Sequence, residues 1–223
     1  MKNPKKTPVL CVERRALPEH LQVTTTSLVP LQLSDFTYEQ TSFINREIVD
    51  AKRAEKPTYF SIGVMFPQLL PYVVVKSGNE VLIYNRKGSE DRLHGMVSLG
   101  VGGHIDIEDA TIGCDEEEIQ MDVAATIVGS CERELEEEAG LLLSQIPELY
   151  FNHALLSSDD EVGQVHIGLI AVIDVPKEHV VPGKELRNAR WVPISELHAM
   201  IGECENWSQI LINNLEELKN DIS

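Results

Sequence analysis

The 223-residue sequence contains no apolar run of about 18 residues, the length with which an α-helix crosses a lipid bilayer. Its first six residues are basic, but no apolar segment follows them, so we expect no secretory signal peptide. These absences argue against an integral membrane protein. They predict a cytoplasmic protein that has no membrane partner.

Cysteine is scarce, and its positions lack the paired spacing of a zinc site (Cys11, Cys114, Cys131, Cys204). We interpret all of them as free thiols in a reducing compartment and not as a disulfide framework. Cys131 falls within a predicted helix, where a small core residue is a simpler interpretation than a nucleophile.

Basic residues are also few. The chain has 19 Lys and Arg and 36 Asp and Glu, so its net charge is −17. Binding to nucleic acid or to anionic membranes depends on basic surfaces, so we expect no stable nucleic-acid partner. A small phosphorylated ligand is not excluded, because bound metal and local basic residues decide that interaction. Hydrophobic and charged contents of 43% and 25% are ordinary for a globular protein.

What the sequence does contain is a dense group of carboxylates in residues 133–141. At about 100° per residue, Glu134, Glu137 and Glu138 share one helix face, because residues three and four apart are neighbours. Like charges at that spacing destabilise a helix. A hard divalent cation would relieve the repulsion, and Mg²⁺ binds carboxylates and is commonly shared with substrate phosphates. The alternative interpretation is an acidic, solvated helix face.

The residues around this group predict the helix that carries it. Apolar or small residues recur at the spacing of a core-facing stripe (Ala124, Val128, Cys131, Leu135). Gly140 is typical of a C-terminal cap in the left-handed conformation. Arg133 precedes Glu137 by four residues and is placed to hold that carboxylate in position.

The order of residues from Arg133 to Leu141 resembles the signature of the Nudix hydrolase family. That signature reads Gly, five residues, Glu, seven residues, then Arg-Glu-apolar-any-Glu-Glu-any-Gly-apolar. The second half is matched at every fixed position. Gly102 and Gly103 resemble the glycine-rich entry to the motif.

The first half of the signature departs from the family pattern. Gly103 and Arg133 are 133 − 103 = 30 positions apart, where the family has 14, so about 16 residues are inserted. The upstream glutamate of the pattern falls at Ala125. Either the acidic insertion supplies a substitute or the role is unfilled (candidates Glu116, Glu117, Glu118).

The resemblance implies an α+β fold, an α/β/α sandwich with a mixed sheet, over residues 57–200. Residues 1–56 would then be an N-terminal extension, and residues 201–223 a C-terminal helix packed on the domain. Residues 190–197 resemble the family's usual ending, an aromatic strand followed by a capped helix.

Local patterns predict several further elements. Valine-rich residues 70–75 and residues 80–84 flank a turn and predict a β-hairpin. We expect a helix over residues 43–53 and a loop, with at most a short helix, over the inserted residues 104–121. An apolar face at helical spacing predicts a C-terminal helix over residues 206–219.

By the resemblance, Glu134, Glu137, Glu138 and the carbonyl of Gly103 are the ligands of Mg²⁺ or Mn²⁺. The three glutamates are also the predicted catalytic residues, with Glu134 alternatively acting as a base. Arg133 joins them because it orients the glutamates in this family.

The water-activating base varies in position within the family and often comes from a later loop. Glu161 and Glu185 are candidates, although each is also read as an ordinary surface acid.

Substrate contacts are predicted on the segment before the glycine pair. Arg86 and Arg92 are candidates because a guanidinium pairs bidentately with phosphate, and a solvated loop is the alternative. His104 is a third candidate, against a purely structural role in the glycine turn.

These residues predict a metal-dependent hydrolase that cleaves a diphosphate linkage in a nucleoside diphosphate derivative or a related phosphorylated small molecule. The alternative is a non-catalytic Nudix-like binding or regulatory domain, which Ala125 keeps open. An isoprenoid diphosphate isomerase would need a cysteine and an acid at its centre, and no cysteine here has that context.

Two further expectations rest on the resemblance alone. The segment from Leu93 to His104 resembles a subgroup described as predicted MutT-like phosphoesterases. The family also implies a homodimer, for which the N-terminal extension is the expected interface. The sequence names no substrate.

Overall fold

The computed structural model describes residues 7–22, 25–50, 52–86, 95–114, 119–146 and 148–215. The strands are β1 (Pro8–Val12), β2 (Ser27–Pro30), β3 (Thr41–Asn45), β4 (Gln68–Ser77), β5 (Glu80–Arg86), β6 (Val97–Ser98), β7 (Gly100–Val101), β8 (Ile112–Cys114), β9 (Ile119–Met121), β10 (Phe151–Leu156), β11 (His166–Asp174) and β12 (Leu186–Pro193). The α-helices are α1 (Arg46–Val49), α2 (Pro57–Met65), α3 (Val123–Ala139), α4 (Glu161–Gln164) and α5 (Asn206–Asn213). No helix in these ranges is long and apolar enough to span a bilayer.

The chain divides into two compact units. The first unit combines Met1–Pro71, Gly103–Ser130 and His153–Leu169. The second unit combines Tyr72–Gly102, Cys131–Asn152 and Ile170–Ser223. Strands β4 and β11 and helix α3 contribute residues to both. The domain boundaries after residues 56 and 200 stay predictions from the sequence.

The first unit is built on two antiparallel pairs. Strand β1 pairs along its whole length with β3, from Pro8 opposite Asn45 to Val12 opposite Thr41. Strand β10 pairs with β2. Beside the first pair lies a small apolar core, on which three half-buried side chains pack (core Val9, Cys11 and Val49; packed Ile44, Ile62 and Phe66). Burial of these side chains stabilises the unit by removing apolar surface from water.

The second unit contains the predicted β-hairpin. Strands β4 and β5 pair with Lys76 opposite Val81, and Gly78 in the turn has a φ of +58°. The glycine supplies the left-handed conformation that such turns need. Strand β12 extends the sheet on the far side of β5. The hairpin prediction is confirmed.

Strand directions in the sheet are mixed, as the sequence predicts. At the start of β4, the Gln68 amide donates to the Val165 carbonyl at 2.9 Å. At its end, the Val175 amide donates to the Lys76 carbonyl at 2.9 Å. Strands β4 and β11 therefore run in the same direction, whereas β4 and β5 are antiparallel.

The predicted helix over residues 43–53 is largely wrong. Strand β3 continues to Asn45, and α1 is a single turn that ends at Val49. The Asn45 side chain accepts the Glu47 amide at 3.0 Å and starts that turn. Pairing of β3 with β1 supplies backbone hydrogen bonds that outweigh the local helical preference.

The inserted residues form more structure than a loop. Strands β8 and β9 make an antiparallel pair, with Ile112 opposite Met121 and Cys114 opposite Ile119. A 3₁₀ turn, Ile107–Asp109, precedes them. The sequence analysis missed this hairpin because the acidic run at 115–118 interrupts its alternating pattern. Glu116, Glu117 and Glu118 lie outside the described residues.

A buried carboxylate begins the C-terminal helix α5. Glu205 is 4% exposed and accepts hydrogen bonds from the amides of Trp207 (2.8 Å) and Ser208 (3.0 Å). Its oxygens also accept the hydroxyls of Ser208 and Tyr72, both at 2.6 Å. Burial and the adjacent carboxylate raise the pKa of Tyr72 well above its ordinary value. Helix α5 ends at Asn213, before the predicted end at Lys219, because residues 214 and 215 form a turn; residues beyond 215 lie outside the described range.

Three of the cysteines are free and buried, as the sequence predicts: Cys11, Cys131 and Cys204. Burial raises the pKa of the Cys11 thiol to about 12. Burial and then Glu205 and Glu203 raise the pKa of Cys204 to about 11. Burial, helped by nearby glutamates, also raises the pKa of Cys131. The side chain of Cys114 is outside the described part.

At pH 8 we expect iodoacetamide to alkylate these three thiols at least about tenfold more slowly in the folded protein than in urea, because the thiolate is the nucleophile. Peptide mapping of a labelling time course measures each rate separately. Labelling of Cys131 at the same rate in both states would contradict the buried position.

Candidate active site on helix α3

Helix α3 begins at a side-chain cap. The Asp122 carboxylate accepts the amide of Ala125 at 2.9 Å, and the Asp122 carbonyl accepts the amide of Thr126 at 2.9 Å. An aspartate in this position satisfies an otherwise unpaired amide and also suits the positive end of the helix dipole. Ala125, at the position of the signature's upstream glutamate, therefore lies in the first turn of α3 and brings no carboxylate there.

Helix α3 ends at Gly140, as predicted. Gly140 has a φ of +64° and donates its amide to the Glu136 carbonyl at 3.1 Å. The Leu141 amide reaches back to the Leu135 carbonyl at 3.2 Å. The bond from Gly140 to Glu136 is the five-to-one bond of an αL C-terminal cap.

A returning segment, residues 181–183, closes the last turn of α3 through backbone hydrogen bonds. The Val181 amide donates to the Ala139 carbonyl, and the Gly183 amide donates to the Glu138 carbonyl, both at 2.7 Å. A Cβ on Gly183 would lie 2.9 Å from the Glu137 carbonyl oxygen, so the close approach requires glycine. Carbonyls that a helix end normally leaves unpaired thus have fixed partners.

The carboxylates lie on the helix next to a buried stripe. Arg133 donates from one guanidinium nitrogen to Glu134 at 2.8 Å and to Glu137 at 3.4 Å. The Glu134 side chain is 13% exposed and that of Glu137 is 62% exposed, so the pair spans the edge between core and solvent. The stripe on the core side is fully buried (Cys131, Leu135, Ala139). Arg133 offsets the repulsion between the two carboxylates.

The chemistry of these donors fits a hard divalent cation, since Mg²⁺ and Mn²⁺ prefer carboxylate oxygens. Glu138, half-buried in the same turn, supplies a third carboxylate. Among the described residues, no three acidic, histidine or cysteine side chains converge on one point as ligands. In this conformation Arg133 binds two of the carboxylates that a cation would need.

The remaining predicted site residues are placed as follows. Gly103 and His104 belong to the first unit, where the His104 ring meets the His166 ring edge-on with centroids 5.7 Å apart. Arg86 is the last residue of β5, opposite Leu186 of β12, and its side chain is not described. Arg92 lies outside the described residues. The structure therefore brings together Arg133, Glu134 and Glu137.

The two candidate bases lie in different settings. Glu161 is the first residue of α4, the short helix that Asp160 caps by accepting the Gly163 amide at 2.7 Å. Glu185 lies just before β12, and its carbonyl accepts the Arg187 amide at 3.1 Å. Their role as bases stays a prediction.

The segment that closes α3 was not predicted from the sequence. Pro182 and Gly183 form a dipeptide that marks a turn, which was the available signal. A turn signal does not say which carbonyls the turn will meet, so its pairing with Glu138 and Ala139 could not be predicted.

Two glycines of this region give a matched test of the closure. Gly140→Ala is expected to lower the free energy of unfolding by about 1–3 kcal/mol, because of the positive φ and added contact. Its Cβ would lie 2.8 Å from the Val181 carbonyl oxygen. Gly129→Ala is expected to raise it by about 0.5–1 kcal/mol, because alanine favours a helix and here has room. Urea unfolding of both variants measures the two changes, and equal effects would contradict the closure.

The comparisons with other proteins identify a relative by sequence and a shared fold by structure. The sequence matches no family model. Protein YmaB of Bacillus subtilis (strain 168) is 36% identical over 160 residues, which cover 68% of this chain and 72% of that protein. The crystal structure of Tm1382, a protein assigned to the Nudix hydrolases, superposes with a TM-score of 0.71 at 24% identity. That match covers 95% of this chain and 99% of Tm1382.

The structural match confirms the predicted fold class, an α+β sandwich with a mixed sheet. It extends over the N-terminal extension as well as the predicted domain, because 95% of the chain is covered. The signature residues 133–141, at the C-terminal end of α3, agree with that fold. The chain is a relative of Protein YmaB, and it has the fold of the Nudix hydrolases.

Proposed function

We propose that this protein is a metal-dependent hydrolase that cleaves a diphosphate linkage in a nucleoside diphosphate derivative or a related phosphorylated small molecule. The observation that carries the proposal is the arrangement at the end of α3. Glu134 and Glu137 share the guanidinium of Arg133, and the turn that bears Glu137 and Glu138 is closed by Gly140 and the returning segment.

In this proposal Glu134, Glu137 and Glu138 hold Mg²⁺ or Mn²⁺. A bound divalent ion neutralises diphosphate charge, polarises a phosphorus–oxygen bond and lowers the pKa of its water. Arg133 positions the carboxylates of Glu134 and Glu137 and does not contact the substrate. The buried stripe beside them holds the backbone of this turn in place, so metal binding requires the carboxylate side chains, and not the helix, to rearrange.

Charge supports a role for metal in substrate binding. With a net charge of −17, the protein repels a diphosphate from a distance, and three clustered carboxylates add to that repulsion. A divalent cation on these carboxylates offsets most of that local negative charge. Arg86, Arg92 and His104 are kept as proposed substrate contacts.

The test is a hydrolysis assay on a panel of nucleoside diphosphate derivatives, followed by chromatography of the products. Each compound is incubated with Mg²⁺, with Mn²⁺ and with EDTA. We expect at least one compound to yield two phosphorylated products with metal and none with EDTA. Product formation that persists in EDTA would contradict the proposed metal dependence.

The second candidate is a non-catalytic binding or regulatory domain, favoured by Ala125 at the position of the signature's upstream glutamate. It predicts saturable, metal-dependent binding of a panel compound without any turnover. Compounds that are not hydrolysed are then titrated calorimetrically against the protein. Binding of a compound that stays intact would indicate the non-catalytic domain and not the hydrolase.

A further inference from the structure

A partly buried arginine in the first unit holds its charge beside a small cavity. Arg14 donates from Nε to the Val64 carbonyl at 2.9 Å and from a terminal nitrogen to the Gln164 carbonyl at 3.1 Å. Burial lowers the pKa of Arg14, yet an arginine stays protonated at neutral pH. The two carbonyls satisfy hydrogen bonds but do not neutralise the charge.

A second arginine, Arg53, contacts the same glutamine, Gln164. Arg53 donates to the side-chain oxygen of Gln164 at 3.3 Å and lies 4.9 Å from the centre of the Phe60 ring. Within the described residues, neither Arg14 nor Arg53 forms an ion pair with a carboxylate. Arg53 is exposed, so water solvates its charge, whereas Arg14 is partly buried and is the arginine whose charge needs an explanation.

The cavity beside Arg14 has polar and apolar walls. Its volume is about 40 Å³. Among its polar lining residues, Ser157 is 7% exposed and His166 is 4% exposed. The other lining residues complete a pocket that opens to solvent (Thr25, Val64, Leu156, Gly163, Gln164). That volume takes about three water-sized groups, which suits one compact polar group and excludes a nucleoside.

We propose that this pocket, lined by Arg14, Ser157, His166 and Gln164, binds a small oxyanion, namely a phosphate or carboxylate group. A guanidinium binds such groups through parallel, charge-assisted hydrogen bonds. A partly desolvated positive charge is stabilised far more by an anion than by neutral carbonyls. All its lining residues belong to the first unit, whereas the carboxylates of α3 belong to the second.

The test follows the unfolding temperature during titration with sodium phosphate or sodium acetate, in EDTA and at constant ionic strength. Without metal, the carboxylates of α3 repel an anion and do not contribute. Phosphate also stabilises proteins through exclusion from their surface, but that effect does not saturate. We therefore expect a saturable rise for at least one anion, on top of any linear trend.

Matched variants locate the site. Arg14→Gln is expected to weaken binding by at least about tenfold, through loss of charge-assisted hydrogen bonds. Arg15→Gln is the control, because Arg15 is exposed, adjacent and bonded to Glu13. Glu137→Gln should also bind the anion normally, which separates this inference from the proposed hydrolysis.

Gln164→Glu is a second variant, needed because Arg14 also secures two carbonyls. It keeps the shape of the side chain but places a carboxylate beside Arg53 on a residue that lines the pocket, so anion binding should again weaken by at least about tenfold. If Arg14→Gln fails to fold, the affinity of Gln164→Glu for the anion tests the proposal instead. The proposal is overturned by a wild-type response that does not saturate, or by equal affinities in Gln164→Glu and Arg15→Gln.

Discussion

Glu137→Gln is expected to lower metal-dependent hydrolysis by about 100-fold or more, because loss of a direct ligand should exceed the 10–100-fold cost of losing an outer contact. The substitution removes one negative charge and leaves the helix intact. Glu137 is 62% exposed on its side chain, and its hydrogen bond to Arg133 is long at 3.4 Å. The protein should therefore keep its stability while it loses activity.

The control for this experiment is the neighbouring residue. Glu136→Gln removes the same charge from an exposed position of the same turn, at a site that the signature leaves open. Rates for both variants are measured across a Mg²⁺ titration, so that weakened metal binding appears as a shifted midpoint. Equal losses in the two variants would show that only the net charge of the helix matters.

Glu205→Ala is expected to lower the free energy of unfolding by about 3–5 kcal/mol, because two amide donors lose a charged acceptor at a cost of about 1–3 kcal/mol each. These are the amides of Trp207 and Ser208, whereas the Tyr72 hydroxyl keeps the hydroxyls of Ser98 and Ser208 within hydrogen-bond distance. An unsatisfied buried donor costs more than a lost hydrogen bond alone. Native proteins have only about 5–15 kcal/mol to lose, so this change is large.

Urea unfolding measures this effect against Glu203→Ala. Glu203 is exposed, two residues away, and ends the 3₁₀ segment before α5. We expect a change within about 0.5 kcal/mol for this control. A loss below 1 kcal/mol in Glu205→Ala would mean that water replaces the carboxylate at little cost, and that the network does not hold α5 in place.

Much of helix α3 could be predicted from the sequence because its signals are local. The cap at Gly140 depends on one residue's conformational freedom, and the helix periodicity depends on side chains that follow one another along the chain. The core-facing positions Cys131 and Leu135 are buried as the periodicity predicts. Local signals of this kind do not depend on what the rest of the chain does.

The remaining features depend on contacts between distant segments. Strand β3 replaces a predicted helix because β1, more than 30 residues earlier, pairs with it. Glu205 was missed as a helix cap because glutamate is not among the favoured residues there, and Tyr72 lies 133 positions away. Such pairings cannot be read from spacing.

The candidate site also has one contact that residue spacing predicts and one that it does not. Spacing predicts the bond from Arg133 to Glu137, four residues on, and the structure contains it. The shorter bond joins Arg133 to Glu134, its direct neighbour. Adjacent residues on a helix do not face each other, so this contact needs a bent side-chain path that no periodicity argument includes.

The segment that closes α3 gives the carboxylate turn an internal reporter. The amides of Val181 and Gly183 are bonded to carbonyls of the turn that bears Glu138, so they exchange with deuterium only when the segment and that turn separate. Their exchange rates report the order of the site without any substrate or activity. The loop after residue 180 thereby records whether the helix end is formed.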